Sequence, residues 1–479
     1  MSVMIPLPLV PHIIGAKIVG MDLDGVKFQE MIQKCNMFAD DAVKTVQQRN
    51  MVVIMIFVPA STEMRCNTFM VRSIKVTFDH HQFCINPLSY LTFLSILHYL
   101  LFFFVTNMKS IIYSLFALSL LSLSSAHAQC HFPAIFNFGD SNSDTGGLSA
   151  AFGQVGPPHG ISFPGSPAGR YCDGRLVIDF IAESFGLPYL SPFLDSVGSN
   201  FSYGANFATA GSPIRAVNTT FRRTGYSPFS LDVQAVQFSN FHNRSQTVRS
   251  RGGIYAKMLP EANSFSKALY TIDIGQNDLT AGYFAKKTVQ EIGTTDVPEL
   301  ISQFKTAVTN IYKEGGRYFW IHNTGPIGCL AYVIEWFPLP ESDFDAHGCA
   351  SPLNHLAQQF NDALSQAVTE LRASLSEAAI TYVDVYSIKY ELFAHAQEHG
   401  FSKSLVSCCG YGGKYNYNRK TGCGKKIIVD GKEVLIGKSC DEPDKAIVWD
   451  GIHFTQAANK IIFDKIATGL SMACHKQLL

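Results

Sequence analysis

No charge of one sign predominates in this chain: 38 Lys and Arg balance 38 Asp and Glu over 479 residues. Without a basic face there is no electrostatic case for nucleic acid. No Cys-x-x-Cys pair occurs after residue 128, so there is no ready-made structural metal site in that region. Internal repeats and low-complexity linkers are missing from residues 129–479, which argues for one domain rather than an array. The pattern Gly-x-Ser-x-Gly is absent too, and with it the nucleophile elbow of the α/β-hydrolases.

What the chain does have is a second start. Met108 and Lys109 lead into the apolar run Ile111 to Leu121 and then Ser125-Ala126-His127-Ala128. A basic head, a short apolar stretch and an Ala-x-Ala site make a secretory signal peptide over 108–128, with a mature chain from Gln129. Two readings of residues 1–107 follow. Either translation starts at Met108 and the upstream segment is a gene-model extension, or the extension is made, unstructured or anchoring. In the second case the apolar run between Tyr90 and Val105 is the membrane anchor. The first is favoured here. A membrane partner is expected only if the extension is real.

Nine cysteines follow the signal: Cys130, Cys172, Cys329, Cys349, Cys408, Cys409, Cys423, Cys440 and Cys474. In an oxidising compartment most should pair, and an odd number leaves at least one over. Asn200, Asn218 and Asn243 each open an Asn-x-Ser/Thr acceptor pattern, so glycosylation is expected there. All of this points to a secreted protein, extracellular or in a cell wall.

Apolar strand-like runs alternate with longer helical patterns. Strands are expected at 134–138, Tyr203–Ala208, Leu269–Ile274, Tyr318–Ile321 and Ile380–Val385. Helices are expected after Leu176, over Leu231–Phe241, from Asp296 or Pro298 to about Ile311, over Pro352–Leu375 and over Gln456–Ala473. Strand–helix alternation with buried strands implies a mainly parallel sheet between two helix layers. In such a sheet the carboxyl ends of all strands lie along one edge, where ligands bind.

Polar signals recur at those ends. Phe138-Gly139-Asp140-Ser141 closes the first strand, Asn206 to Gly211 the second, and Gly275-Gln276-Asn277-Asp278 the third. Trp449-Asp450-Gly451-Ile452-His453 precedes the last helix. A serine hydroxyl attacks a carbonyl only with a neutral imidazole to take its proton, and the imidazole needs a carboxylate on its other nitrogen. Ser141, His453 and Asp450 can supply these. Backbone N–H groups at Ser141 and Gly211, with the Asn277 amide, can meet the oxyanion. Each piece also has an ordinary role as turn or helix cap; what carries weight is the set, in this order, at strand ends.

These four blocks resemble those of the GDSL esterase/lipases within the SGNH hydrolases. The likeness is strongest to the plant secreted branch through Phe136 to Gly146, Cys408-Cys409-Gly410 and Trp449 to His453, and covers residues 130–475. It implies a flavodoxin-like three-layer α/β/α fold with a five-stranded sheet. It also implies cofactor-free and metal-free hydrolysis of carboxylic esters through an acyl-enzyme. On that match Ser141 is the nucleophile, Asp450 and His453 complete the triad, and Gly211 and Asn277 form the oxyanion hole, with Gly204 the alternative glycine. Asn142 stands where the family name has leucine. Acylated metabolites, acetylated glycans and lipids all remain open as substrates, with the loop Gly153–Arg175 expected to shape the pocket.

Two rival readings stand beside this one. His395-Ala396-Gln397-Glu398-His399 matches His-x-x-Glu-His, a zinc-binding pattern when both histidines share a helical face. The other is a secreted carbohydrate-binding or signalling protein on a hydrolase scaffold.

Overall fold

The computed structural model describes residues 131–163, 169–216, 227–336 and 338–468, together with five strands between residues 3 and 83. The signal segment 108–128, the apolar run at 90–105, Asn218, Cys130 and Cys474 lie outside the described residues. The chain divides into two compact units, Met1–Ala126 and His127–Leu479.

In the first unit, β1 (Val3–Ile5), β2 (Ala16–Ile18), β3 (Val52–Pro59), β4 (Phe69–Phe78) and β5 (His81–Phe83) pair in chain order. Only the β2–β3 pair is parallel.

The second unit is built on β6 (Ile135–Gly139), β7 (Gly204–Asn206), β8 (Leu269–Asp273), β9 (Tyr318–His322) and β10 (Ala379–Val383). The sheet order is β7-β6-β8-β9-β10, and every pair is parallel. This is the flavodoxin-like order, with β6 and β8 flanking the switch point at which the sheet's winding reverses. Around it lie α1 (Gly147–Phe152), α2 (Val177–Ser184), α3 (Leu231–Arg249), α4 (Gln276–Phe284), α5 (Val297–Lys313), α6 (Ser351–Ser374), α7 (Val385–Ala394) and α8 (Gln456–Thr468). Helices α3, α5 and α6 pack as one layer, while α2, α7 and α8 form the other. The three-layer α/β/α arrangement is the expected one.

Every residue of β6 is buried, as a central parallel strand requires. Phe136 and Phe138 pack on Phe238 of α3 at centroid separations of 5.2 and 5.6 Å. Strand β7 is shorter than its apolar run suggested. Phe207 N–H still joins the ladder through Asn137 O at 2.8 Å, but Ala208 N–H turns to the Asn206 side chain. Strand β10 stops at Val383 because Asp384 caps α7, accepting from Ser387 N–H at 3.0 Å. Helix α3 runs on past Phe241 to Arg249, and α8 is described as far as Thr468.

Not anticipated was the hairpin β11 (Lys426–Val429) and β12 (Lys432–Leu435), solvent-facing along most of its length. Disulfides Cys408–Cys440 and Cys409–Cys423 brace its base, and Cys329–Cys349 ties the segment after β9 to the start of α6. Cys172 is a buried free thiol. No helix among the described residues is long and apolar enough to cross a membrane.

Candidate active site

Gly139 ends β6 at φ +146°, where a Cβ would lie 2.2 Å from Asp273 O. Only glycine permits that close approach, and the chain turns there into Asp140 and Ser141. From α3, Gln234 holds this turn on both sides. Its Oε1 accepts from Gly139 N–H at 2.9 Å and its Nε2 donates to Gly139 O at 2.8 Å. Beneath the loop lies a buried polar network. Asn137 donates to Ser143 O and Asn206 Oδ1 while accepting from Thr271, and Asn206 donates to Ser143 O and Thr145. Asp144 fastens the far side, accepting from Gly146, Gly147, Leu148 and Ala210 N–H. Burial pushes its carboxyl up, and those N–H donors oppose the rise.

Ser141 therefore stands just past β6, 5% exposed, on a loop whose neighbours are held from three elements. Asn142 does not pack beneath the loop as a leucine would. It caps Asp140 instead, through N–H at 2.9 Å and Nδ2 at 3.0 Å on Oδ1. Burial, then the Asp273 charge, pushes the Asp140 carboxyl up to about 8.

Asn277 lies in the first turn of α4 just past β8, across the switch point from Ser141. Its amide donates to Asp140 Oδ2 at 3.2 Å and to Ser212 O at 3.1 Å. Gly211 precedes Ser212 at φ +78°, with its carbonyl accepting from Ser227 N–H. Gly211 thus lies on the same rim as Asn277. Gly204, the alternative, opens β7 opposite Ile135, and its N–H is bonded to Phe201 O at 3.0 Å.

The turn before α8 carries Asp450 and His453. Gly451, at φ +89° against the Tyr417 ring, lets Ile452 and His453 N–H both reach Asp450 Oδ1 at 3.0 and 2.9 Å. Asp450 Oδ2 lies 2.7 Å from His453 Nδ1. Burial pushes the Asp450 carboxyl up, but His453 and His159 overcome that and hold it well below the usual carboxylate range. An ionised Asp450 makes Nδ1 the protonated nitrogen, leaving Nε2 as the acceptor. That Nε2 is buried and has no hydrogen-bond partner among the described residues. Ser141 Oγ is accordingly not bonded to it.

Tyr171, unremarked in the sequence, packs against the imidazole of this pair. Its ring lies 5.6 Å from that of His453, and burial followed by the charges of Asp144 and Asp450 pushes its phenol up to about 12. Its loop is anchored by Arg170, which makes a buried two-point ion pair with Asp179 at 2.8 and 2.7 Å. Further along, Asp173 accepts from Gln456 N–H at the start of α8.

The zinc pattern is corrected. Helix α7 ends at Ala394, so His395 to His399 form a run of turns rather than a helical face. His395 pairs with Glu398, whereas His399 pairs with Glu391. Among the described residues no group of three or more His, Cys, Asp or Glu side chains is placed to hold a metal. Asn200 and Asn243 are both exposed.

A serine after β6, the Asn277 amide after β8 and a buried imidazole–carboxylate pair before α8 are the chemistry-bearing groups of this flavodoxin-like unit. Residues 135–466 match the family model of the GDSL-like lipase/acylhydrolases, and the chain belongs to that family. It is similar to Alpha-L-fucosidase 3 of Arabidopsis thaliana, 80% identical over 77% of this chain and 100% of the relative. A GDSL esterase/lipase of the same plant is 54% identical over 76% of this chain and 96% of its own length. An esterase of Hevea brasiliensis is 52% identical over 78% and 96% respectively. The chain is a carboxylic ester hydrolase.

Proposed function

We propose that the chain is a secreted esterase acting through Ser141, His453 and Asp450 by way of an acyl-enzyme. The observation that carries this reading is the 2.7 Å Asp450–His453 pair, whose outer nitrogen is buried and unpartnered in a protein of this family. In the first step Ser141 Oγ bonds to the ester carbonyl carbon and its proton passes to His453 Nε2. The carbonyl π pair moves onto oxygen, facing the N–H groups of Ser141 and Gly211 and the Asn277 amide. As the tetrahedral intermediate collapses, the C–O bond to the alcohol breaks and His453 returns its proton to the leaving oxygen. Water repeats the sequence on the acyl-enzyme, releasing the acid and free Ser141. No cofactor enters these steps. The disulfides among the described residues support secretion, and exposed Asn200 and Asn243 support glycosylation.

The substrate class we favour is an acylated glycan, because the Arabidopsis relative named a fucosidase points to sugar in the site. Its name also supports a second reading, hydrolysis of an α-L-fucoside. Glycoside cleavage ordinarily needs two carboxylates flanking the bond. Here Asp140 and Asp144 are fully buried, and Asp450 faces two histidines. The geometry thus favours the ester. The test is to assay the protein on nitrophenyl esters of graded chain length, acetylated glycans and nitrophenyl α-L-fucoside, beside Ser141→Ala. Ester release abolished by Ser141→Ala is expected; fucoside release that survives it, with no ester release in either protein, reverses the choice.

A further inference from the structure

The loop that carries Pro157-Pro158-His159-Gly160 places a second imidazole on the acid–base pair. His159 is buried, and its Nε2 stands 3.5 Å from Asp450 Oδ2, the oxygen that His453 Nδ1 meets at 2.7 Å. Its other nitrogen, Nδ1, lies 3.3 Å from Gly156 O and 3.9 Å from the sulfur of Cys423. Carboxylate, carbonyl and disulfide sulfur all accept and none donates. Both ring nitrogens of His159 thus face acceptors, so Nε2–H is the form that Asp450 requires, and a doubly protonated ring satisfies both sides. The ring is held by Trp449 at 6.0 Å and Tyr171 at 5.9 Å, and Tyr171 in turn lies against His453.

We propose that His159 is a positioning residue for the ester hydrolysis, sharing Asp450 Oδ2 with His453 and thereby tying the Pro157-Pro158-His159-Gly160 segment and the Cys409–Cys423 disulfide to the acid–base pair. This rests on the assignment of Asp450 and His453 given above. His159 touches neither the ester nor Ser141 in this scheme and carries no proton of the reaction. Its effect is electrostatic. A donor or a positive charge on Asp450 withdraws negative charge from the face that stabilises protonated His453. Taking the donor away returns that charge to the face that meets His453. The sign is the same whether His159 is neutral or charged. The other titratable groups facing Asp450 are Tyr171 and Cys172 on the same loop and Tyr417 from the disulfide-braced lobe. All three are pushed up by burial, so they stay protonated and neutral through the acid and neutral range.

The experiment compares the pH profile of kcat/KM for the intact protein, His159→Gln and His159→Leu, with Ser141→Ala as the blank. Removing the donor in His159→Leu should move the acid limb up by about 1 pH unit. His159→Gln retains an N–H for Asp450 and should fall between the two. A purely structural role lowers the rate or Tm but leaves the limb in place. An unmoved limb in folded His159→Leu, with Ser141→Ala inactive, overturns the role of His159 alone. Activity persisting in Ser141→Ala instead overturns the assignment beneath it. A measurement on the unmutated protein needs no variant to fold: ¹⁵N spectra of its labelled histidines should show a proton on His159 Nε2 at neutral pH. A bare Nε2 there overturns the proposal.

Discussion

Asn277 donates to Asp140 Oδ2 across 3.2 Å, joining the start of α4 to the residue before the proposed nucleophile. Its second contact, to Ser212 O at 3.1 Å, fixes the amide beside the Gly211 turn. Both amide protons are thus engaged in the free protein, so an oxyanion there must share or displace one of these partners. Since that exchange occurs only as charge develops, Asn277→Ala should lower kcat by about 10²–10³ with little change in KM. Steady-state kinetics on a short-chain ester decide it. A pure KM effect assigns Asn277 to substrate binding instead.

Asp450 is held below the ordinary carboxylate range by His453 and His159 against the opposing effect of burial. Its own protonation therefore falls below the ordinary carboxylate range, and an acid limb of kcat/KM near an imidazole pKa does not report Asp450. On the proposed mechanism activity requires neutral His453, so it should fall as pH drops through the pKa of that imidazole. Asp450→Asn removes the acceptor that keeps the proton on Nδ1 and should reduce kcat by about 10⁴, with secondary structure unchanged by circular dichroism. Full activity at about pH 4, well below an ordinary imidazole pKa, counts against His453 as the base.

The strand ends were legible because buried parallel strands read as apolar runs, and Phe138-Gly139 or Ile274-Gly275 announces where each stops. Asp450 and His453 were legible as a pair because they stand three positions apart in one turn. The supporting residues were not. Gln234 sits on a helix whose polar positions read as solvent-facing, yet it clamps Gly139 from 95 residues away. His159 lies in a Pro- and Gly-rich loop with no periodicity, and only the folded chain brings it to Asp450. The pairings of Cys408 with Cys440 and of Cys409 with Cys423 were equally hidden, since spacing does not determine connectivity.

Asp140 gives a stability test with a definite sign. Burial and the neighbouring Asp273 push its folded-state pKa up to about 8, against 3.8 for an unperturbed group. Between those values the folded protein keeps a proton that the unfolded chain releases. More protons bound in the folded state means stability that declines as pH rises. Asp140→Asn carries no such titration. The difference in unfolding free energy between variant and parent should therefore shift in the variant's favour from pH 5 to pH 8, whatever constant offset the new amide introduces beside Asn277. Denaturant titrations at several pH values read this directly, and parallel pH dependences would refute it.

The disulfide-braced lobe offers a test that couples stability to catalysis. Cys408 and Cys409 N–H donate to Val448 O and Trp449 O at 2.9 and 2.6 Å, which holds the strand-like segment leading into Asp450. Cys409–Cys423 closes a sequence separation of 14 residues and Cys408–Cys440 one of 32. In the chain-entropy view, opening the shorter loop costs about 3 kcal/mol. Replacing Cys409 and Cys423 by serine should cost that much in denaturant-induced unfolding. It should also lower kcat by more than the loss of folded protein explains, because Trp449 N–H is bonded to His453 O at 2.7 Å. A variant destabilised to this extent but with unchanged kcat per folded molecule shows that the Asp450–His453 turn holds its own geometry. A reduced kcat in protein verified as folded shows that the disulfide supports it.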